Sequence, residues 1–327
     1  MTKRLFNPAA VAEAGQQGGS NEGLDNKGLS VFVTGSSGLV GKRLCVALQD
    51  DGHQVKRVVR STKQDGPRAV VWNPSADEID PTIFNGADAV VHLAGESIAD
   101  KRWSTAQKKV ILDSRAKSTR NLAEALAALD NPPKTLVCAS AIGFYGSRGD
   151  EQLTEESETG DGFLAEVCRA WEDACQPARD AGIRVVNIRI GMVVARDGGA
   201  LAKMLTPFKM GAGGILGSGK QYMSWIEVDD LVRLIEYTIT EESLDGPVNA
   251  VAPKPITNFE FTKALGRVLG RPTIFPMPAF AARLAFGEMA DELLLSSARV
   301  FPKRATDAGF VFARPEIESA LRYVLKK

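Results

Sequence analysis

Short, continuous apolar runs alternate with amphipathic stretches between residues 30 and 190. The first run, Ser30 to Thr34, is followed by a glycine-rich turn and then by apolar residues at helical spacing from Leu39 to Leu48. Similar patterns predict strands at 55–60, 69–72, 89–93, 135–140 and 184–190, and helices over about 105–129 and 162–181. Continuously apolar strands are typical of a parallel sheet that helices cover on both faces. The pattern therefore predicts an α/β fold with a Rossmann-type, doubly wound parallel sheet.

The composition and pattern of the sequence change after Gly191, where glycine-rich loops and segments interrupted by prolines begin. We predict three parts: a disordered N-terminal extension over 1–27, a Rossmann domain over 28–192, and a smaller C-terminal α+β lobe over 193–327. A helix predicted over 227–241 and a strand over 247–251 indicate that about 225–252 returns to the Rossmann domain. The predicted boundary is therefore interleaved, and the smaller lobe is expected to hold the substrate.

Charge and composition exclude several classes of function. Forty basic residues balance forty acidic ones, so no net field favours nucleic acid or an anionic membrane. The four cysteines lack C-x-x-C spacing and the histidines number only two, which predicts no metal site. No stretch approaches the ~18 consecutive apolar residues that span a bilayer. We predict a cytoplasmic protein that binds a small-molecule substrate, with a transit peptide as the alternative interpretation of residues 1–27.

A glycine motif lies between the first predicted strand and the first predicted helix. It reads Thr34-Gly35-Ser36-Ser37-Gly38-Leu39-Val40-Gly41, with glycines three residues apart. Glycine suits these positions because a Cβ would obstruct a tight turn, an approaching pyrophosphate, or the packing of helix on strand. Free N–H groups at the start of the helix then favour phosphate. The motif predicts a dinucleotide site at Gly35, Ser36, Ser37, Gly38, Leu39 and Val40.

The end of the second predicted strand indicates which nicotinamide cofactor binds. An acidic residue there would hold a ribose 2′-hydroxyl, whereas an arginine would meet a 2′-phosphate. This strand ends in Arg60 and is followed by Lys63, with no acid between them. We therefore predict that the domain over 28–192 binds NADP(H), mainly through Arg60. The alternative is that both cations belong to a solvated strand end.

Three motifs resemble the extended and atypical short-chain dehydrogenases/reductases: residues 34–41, 91–95 and 139–146. Shorter motifs, including Gly95 to Ile98 and Gly160 to Phe163, resemble more narrowly the subgroup called epimerase family protein, or SulA-like nucleotide-sugar epimerase, with a C-terminal domain of unknown function matching 272–325. The resemblance implies further cofactor contacts from residues at or near strand ends, namely Leu93, Ala94, Gly95, Arg115, Ser140, Arg189 and Gly191. For Arg189 the alternative is a buried ion pair with Glu172.

The chain departs from the family at the catalytic helix. The resemblance implies a Tyr-x-x-x-Lys pair there, but residues 163–172 contain neither tyrosine nor lysine. The family's catalytic serine falls on Ser140 or its neighbour Ala141. Tyr145 is the nearest phenol, with packing as the alternative to an acid/base role. Glu96 is a candidate carboxylate base, with an ion pair to Arg102 as the alternative.

Three functions remain open from these residues. The leading hypothesis is an NADP(H)-dependent oxidoreductase that acts on an unknown carbonyl or hydroxyl substrate, with Ser140, Tyr145 and Glu96 as catalytic candidates. The alternatives are a nucleotide-sugar epimerase or dehydratase, and a non-catalytic NADPH-bound sensor or scaffold. By analogy with the family, the helices predicted near 105–129 and 162–181 form the seam of a homodimer. The glycine-rich loop over 211–219 is expected to act as a mobile lid.

Overall fold

The computed structural model describes residues 28–61, 69–73 and 79–327. Its strands, in chain order, are β1 (Ser30–Thr34), β2 (Gln54–Val59), β3 (Val70–Val71), β4 (Ala89–His92), β5 (Thr135–Ala141), β6 (Gln152–Leu153), β7 (Arg184–Ile190), β8 (Met192–Val194), β9 (Tyr222–Met223), β10 (Trp225–Glu227), β11 (Gly246–Ala250), β12 (Ile256–Thr257) and β13 (Arg299–Val300). Its α-helices are α1 (Leu39–Asp50), α2 (Thr105–Asp113), α3 (Ala116–Ala127), α4 (Phe163–Asp173), α5 (Gln176–Asp180), α6 (Gly199–Lys209), α7 (Val228–Thr240), α8 (Asn258–Leu269), α9 (Ala279–Phe286), α10 (Lys303–Asp307) and α11 (Ile317–Leu325).

Seven strands form one parallel sheet in the order β11-β7-β5-β4-β1-β2-β3. The order reverses between β1 and β4, which is the place where doubly wound folds bind their ligands, beyond the carboxyl ends of the strands. We call that side of the sheet the carboxyl edge. The predicted Rossmann-type fold is confirmed.

The core explains why these strands are continuously apolar. Val31 and Val33 pack into a cluster with α1 and α7, whereas Phe32 packs on the opposite face with α3, and all three side chains are fully buried. Each apolar side chain buried in this way contributes about 1.5–3 kcal/mol. β11 pairs with β7, with Val248 opposite Ile188, so a segment from beyond residue 193 completes the sheet.

Two helices predicted as continuous are each divided. The prediction over 105–129 was wrong at the junction of α2 and α3, where the Ser114 hydroxyl donates to the Ile111 carbonyl at 3.0 Å. A side-chain bond of this kind competes with continued helix. The prediction over 162–181 was wrong at Pro177, which lies in the first turn of α5. Proline is tolerated in a first turn but not in a helix interior.

A third apolar cluster, built largely from α6, α8 and α11, forms the core of the C-terminal region. The loop over 211–219, expected to be a mobile lid, is hydrogen-bonded on both sides. The Leu216 amide donates to Asn258 Oδ1 at 2.8 Å, and the Gly217 amide donates to the Met277 carbonyl at 2.9 Å. These bonds fix the position of the loop in this structure, and its role as a mobile lid stays a prediction. Within the described ranges, no helix combines the length and the apolar character needed to cross a bilayer.

Candidate functional site

The glycine loop, residues 35–41, is shaped by close backbone contacts. Gly35 has φ +63°, and a Cβ there would lie 2.7 Å from the Leu93 carbonyl oxygen. A Cβ on Gly41 would lie 2.3 Å from the Gly35 carbonyl oxygen. Both contacts are with backbone atoms, which cannot move aside cheaply, so only glycine permits the loop to pack against the end of β4.

The start of α1 is open to an anion. Its N-cap residue, Gly38, has no side chain to cap the first N–H groups, and the first turn carries no acid. Uncapped N–H groups and the positive end of the helix dipole favour phosphate. Ser36 lies in the same loop, and its buried hydroxyl has no protein partner within the described residues. The loop therefore fits the dinucleotide phosphates that the motif predicts.

A buried histidine ties the loop to the sheet. Thr34 Oγ1 lies 2.7 Å from His92 Nδ1 and accepts from the Ala94 amide at 3.3 Å. Burial lowers the pKa of His92 to about 4, so the imidazole is neutral. Its Nδ1 can therefore accept a hydrogen bond from the Thr34 hydroxyl. These contacts hold the ends of β1 and β4 together, and they set Leu93 and Ala94 beside the glycine loop.

Arg57 lies within β2 and Arg60 directly follows it, and within the described residues only Arg57 hydrogen-bonds to the glycine loop. Arg60 is exposed at the end of the strand, and Lys63 lies outside the described residues. Arg57 is half-buried, and its Nη2 donates to the Ser36 carbonyl at 3.4 Å. Sequence reasoning overlooked Arg57 because it precedes the strand end. The available signal was its spacing from Val55: alternate residues of a strand share a face, and Val55 packs on the side of α1.

Arg115 lies at the junction of α2 and α3, beside the end of β4. Its Nη2 donates to the Glu96 carbonyl at 2.9 Å, and its guanidinium carbon lies 5.0 Å from the centre of the Trp171 ring. A Cβ on Gly95 would lie 3.5 Å from that carbon. Arg115 is thus a cation held close to the strand ends that the family resemblance assigns to the cofactor.

The side chains of β5 and β7 form a buried polar network. Ser140 Oγ donates to Glu172 Oε1 at 2.7 Å. Arg189 binds the same carboxylate through two bonds, Nε to Oε1 and Nη2 to Oε2, both at 2.8 Å. The alternative interpretation of Arg189, a buried ion pair with Glu172, is confirmed.

The catalytic interpretation of Ser140 does not fit this network. Ser140 is 2% exposed and its hydroxyl is directed to Glu172. Ala141, half-buried at the very end of β5, has no hydroxyl to offer. Neither of the two positions that could correspond to the family's serine therefore presents a hydroxyl to a substrate, which adds to the loss of the Tyr-x-x-x-Lys pair.

Tyr145 also belongs to the network. It is fully buried, its hydroxyl accepts from Arg189 Nη1 at 2.9 Å, and it donates to Asn249 Oδ1 at 2.7 Å. Burial raises the pKa of Tyr145 to about 12. A hydroxyl with two protein partners and no exposed surface is unsuited to exchanging a proton with a substrate. The structure favours packing, the alternative interpretation, over the acid/base role.

Glu96 lies in the loop that follows β4. Its carboxylate lies 3.9 Å from Lys101 Nζ, and its side chain is 41% exposed. Arg102 instead donates to the Leu284 carbonyl at 3.2 Å, so the expected pair between Glu96 and Arg102 was wrong. Of the three catalytic candidates, Glu96 alone has its functional group accessible at the carboxyl edge.

Two further residues complete the edge. Cys168 occupies the middle of α4, and burial raises the pKa of its thiol to about 12, which leaves it inert as a nucleophile. A Cβ on Gly191 would lie 2.7 Å from the Ser224 carbonyl oxygen, so this glycine allows β7 to pass directly into β8. In the part of the chain that the structure describes, no group of three or more His, Cys, Asp or Glu side chains is arranged to hold a metal.

Comparison with known proteins agrees with this geometry. The model of a family described as the NAD dependent epimerase/dehydratase family matches residues 31–250, and that of a domain of unknown function, DUF1731, matches residues 277–324. An epimerase family protein of Mycobacterium bovis is 45% identical over 90% of this chain and 96% of its own length. A chloroplastic SDR39U1 homolog of Arabidopsis thaliana is 39% identical over 91% of this chain and 87% of its own.

The solved structures include a similar protein with a bound cofactor. It is the human epimerase family protein SDR39U1 (isoform 2), crystallised with NADPH. That protein is 32% identical, with a TM-score of 0.83, and the match covers 91% of this chain and 100% of the other.

Proposed function

Since the chain belongs to the NAD dependent epimerase/dehydratase family, we propose that it is an NADP(H)-dependent oxidoreductase acting on a carbonyl or hydroxyl substrate. The observation that carries the proposal is the glycine loop, which packs against β4 and leads into a helix start with no side-chain cap. The NADPH bound by the human SDR39U1 protein supports the choice of cofactor.

Several residues would hold the cofactor. The loop from Gly35 to Val40 would take the phosphates, and Arg57 and Arg60 would meet the 2′-phosphate as forked cations. Leu93, Ala94, Gly95 and Arg115 would line the next section, towards the nicotinamide end. When bound, NADPH supplies a hydride to the substrate carbon.

A protein group must still exchange the substrate proton. Glu96 is our candidate general base, because its carboxylate is accessible at the carboxyl edge in the loop directly after β4. It would accept the proton of a hydroxyl substrate as the oxidised cofactor takes the hydride, and would return that proton in the reverse reduction. The hydroxyls of Ser140 and Tyr145 are buried and bond within the network that also contains Glu172 and Arg189, so neither is offered to a substrate.

Family membership keeps a sugar-nucleotide epimerase or dehydratase as a second candidate. That chemistry moves a proton on and off the sugar, and neither Tyr145 nor Ser140 is accessible for it. A cofactor-bound sensor without catalysis is the third candidate, because the glycine loop is retained while the tyrosine and lysine of the family are absent.

Location and assembly remain predictions. All four cysteines are buried and none forms a disulfide within the described residues, which supports a reducing, cytoplasmic setting. The outward positions of α3 and α4 carry exposed charged residues, among them Arg120, Glu124, Glu166 and Arg169. A homodimer seam along these helices would have to bury those charges, which counts against it. Sedimentation of the full chain tests the prediction, since a monomer mass would contradict it.

Calorimetric titration with NADPH and NADH tests the cofactor proposal. We expect NADPH to bind more tightly, and Arg57→Ala and Arg60→Ala each to weaken NADPH about tenfold, because a charge-assisted phosphate contact is lost. NADH affinity should not change in Arg60→Ala; in Arg57→Ala it should fall less than NADPH affinity, because Arg57 also bonds the Ser36 carbonyl of the glycine loop. Arg120→Ala is the matched control, since Arg120 pairs with Glu124 on α3. Absence of binding by either cofactor would refute the proposal.

A further inference from the structure

We propose that the chain has a second anion site, separate from the glycine loop, which binds a small phosphate-bearing molecule. The site is a cleft of about 600 Å³ between α1, the turn from β8 to α6, and the end of α11, and this volume is typical of small-molecule sites. Among the described residues, none that lines the cleft belongs to the glycine loop or to the strand ends proposed to hold NADP(H). The inference therefore does not rest on the proposed function.

Basic side chains predominate in the cleft. Its described lining contains five cations and two carboxylates. The five cations come from separate segments: Arg43 of α1, Arg196 of the turn, and Arg322, Lys326 and Lys327 at the end of α11. Cations that several segments bring to one cleft create a positive potential, which concentrates anions there. The lining thus favours a negatively charged ligand over a neutral or a cationic one.

The two carboxylates of the cleft are engaged by the protein itself. Glu227 is fully buried at the start of α7, where it accepts from the Asp229 amide at 3.0 Å and pairs with Arg314 at 3.5 Å. Burial raises the pKa of Glu227 to about 7, so this group carries only part of its negative charge near neutral pH. Asp229 Oδ2 accepts from the Tyr323 hydroxyl at 2.9 Å. Both acids therefore bond within the wall and leave the cations to an incoming ligand.

Two of the cations have acid partners but keep donors to spare. Arg43 Nη2 bonds Asp197 at 2.7 Å, and Arg322 Nη2 bonds Glu318 at 2.8 Å. A guanidinium has five N–H donors, so each arginine can bond a ligand as well. Because Asp197 directly follows Arg196, the first of these pairs places Arg43 and Arg196 on adjoining walls. Paired N–H bonds from such guanidinium groups are the usual way in which arginine holds a phosphate.

The other three cations, Arg196, Lys326 and Lys327, are exposed and form no ion pair with any described residue. Like charges in one cleft repel one another, and a bound phosphate would relieve that repulsion. Lys326 lies at the C-terminal end of α11, where the helix dipole also favours a cation. Arg196 instead precedes the start of α6, where a helix dipole disfavours a cation. Arg196 is therefore the most informative position for a test.

The cleft and the glycine loop share α1, so an experiment has to keep the two sites apart. Arg43 Nη1 donates to the carbonyl of Leu39, the first residue of α1, at 3.0 Å. A Cβ on Gly198, in the turn, would lie 2.9 Å from Leu39 Cδ1. An anion could thus reach either flank of the same helix, and variants of each flank distinguish the two positions.

Calorimetric titration with inorganic pyrophosphate tests the inference, in the presence of enough NADPH to fill the glycine loop. We expect one pyrophosphate per chain. Arg196→Ala and Lys326→Ala should each weaken its binding about tenfold, because a charge-assisted bond is lost, whereas Arg196→Lys should keep most of the affinity. Lys303→Ala is the matched control, since Lys303 is a cation that pairs with Asp307 outside this cleft, and it should leave the affinity unchanged.

Arg57→Ala separates the two anion sites. If this variant loses pyrophosphate while Arg196→Ala binds it normally, the anion occupies the glycine loop and the inference is wrong. The inference is also wrong if pyrophosphate does not bind, or if neither Arg196→Ala nor Lys326→Ala weakens it in a chain that circular dichroism shows to be folded. Failure of NADPH to bind, with pyrophosphate still sensitive to Arg196, overturns the proposed function alone.

Hexaglutamate is the second probe, because an acidic protein segment carries the same charge as a phosphate compound. We expect it to bind more weakly than pyrophosphate, since the cleft has the volume of a small-molecule site. Tighter binding of the peptide, lost in Arg196→Ala, would make an acidic segment the occupant and would overturn the assignment to a small phosphate.

Discussion

Arg189 and Glu172 form a two-bond ion pair whose side chains are only 4% and 12% exposed. The same carboxylate accepts the Ser140 hydroxyl, and the same guanidinium donates to Tyr145. Three polar residues near the carboxyl edge, Ser140, Tyr145 and Arg189, therefore bond within one network. The sequence had suggested each of them as a cofactor contact or a catalytic group. The ion pair ties β7 to α4, and so fixes the floor of the proposed site.

Breaking this pair should be costly. We expect Glu172→Gln to lower the free energy of unfolding by about 3 kcal/mol or more, because Arg189 would remain buried without its counter-charge. Urea unfolding measures the change. Glu124→Gln removes the exposed partner of Arg120 and should cost less than about 1 kcal/mol. Equal losses in the two variants would contradict the structural role given to the network.

Tyr145→Phe separates packing from catalysis. Removing the hydroxyl leaves Asn249 and Arg189 each short of one bond, so we expect stability to fall by about 1–3 kcal/mol. NADPH-dependent reduction of a carbonyl substrate that the unmodified chain turns over should persist in the folded variant. A general acid contributes about a hundredfold or more to a rate, so a loss of that size in folded protein would restore Tyr145 as the proton donor.

Glu96→Gln tests the proposed general base. The amide keeps the size of the side chain but cannot exchange a proton, so we expect the reduction rate to fall about a hundredfold. NADPH affinity should not change, because the proposed phosphate contacts lie in the glycine loop. Glu124→Gln, at an exposed glutamate that pairs with Arg120 on α3, serves as the control and should leave the rate unchanged. An unchanged rate in Glu96→Gln would assign the proton to solvent or to another group.

His92 should make the fold sensitive to acid. Its folded pKa of about 4 lies below the ordinary 6.5, so the neutral form is the one that the folded state prefers. The contribution of neutral His92 to the free energy of unfolding is complete above pH 6.5 and is lost as the pH falls towards 4. The loss amounts to about 3 kcal/mol, at 1.36 kcal/mol per pKa unit.

The histidine titration can be read directly, because the chain has only two histidines. We expect one imidazole resonance to titrate near pH 4 in an NMR series, and to be the one that survives in His53→Asn. A resonance of His92 that titrates near its ordinary pKa would show that the imidazole is hydrated, and would remove the predicted acid sensitivity.

The sequence by itself determined the Rossmann-type sheet and the position of the glycine loop. Both follow from local patterns: continuous apolar strands require burial on two faces, and Gly35 and Gly41 stand where a Cβ would strike the backbone. Such constraints are visible within a few consecutive residues. The absence of tyrosine and lysine from α4 was equally visible, and it separated this chain from the usual chemistry of its family.

The tertiary structure alone decided which polar groups are free to act. Ser140 and Glu172 are 32 residues apart, and Tyr145 and Asn249 are 104 apart, so no local pattern could show that they bond. The same holds for Glu292, which meets α4 across 128 residues. The chemical groups of a side chain determine which hydrogen bonds and protons it can donate or accept. Whether those groups are available to a substrate depends on the partners that the fold brings to them. In the described structure those partners engage the hydroxyls of Ser140 and Tyr145, whereas the carboxylate of Glu96 is accessible.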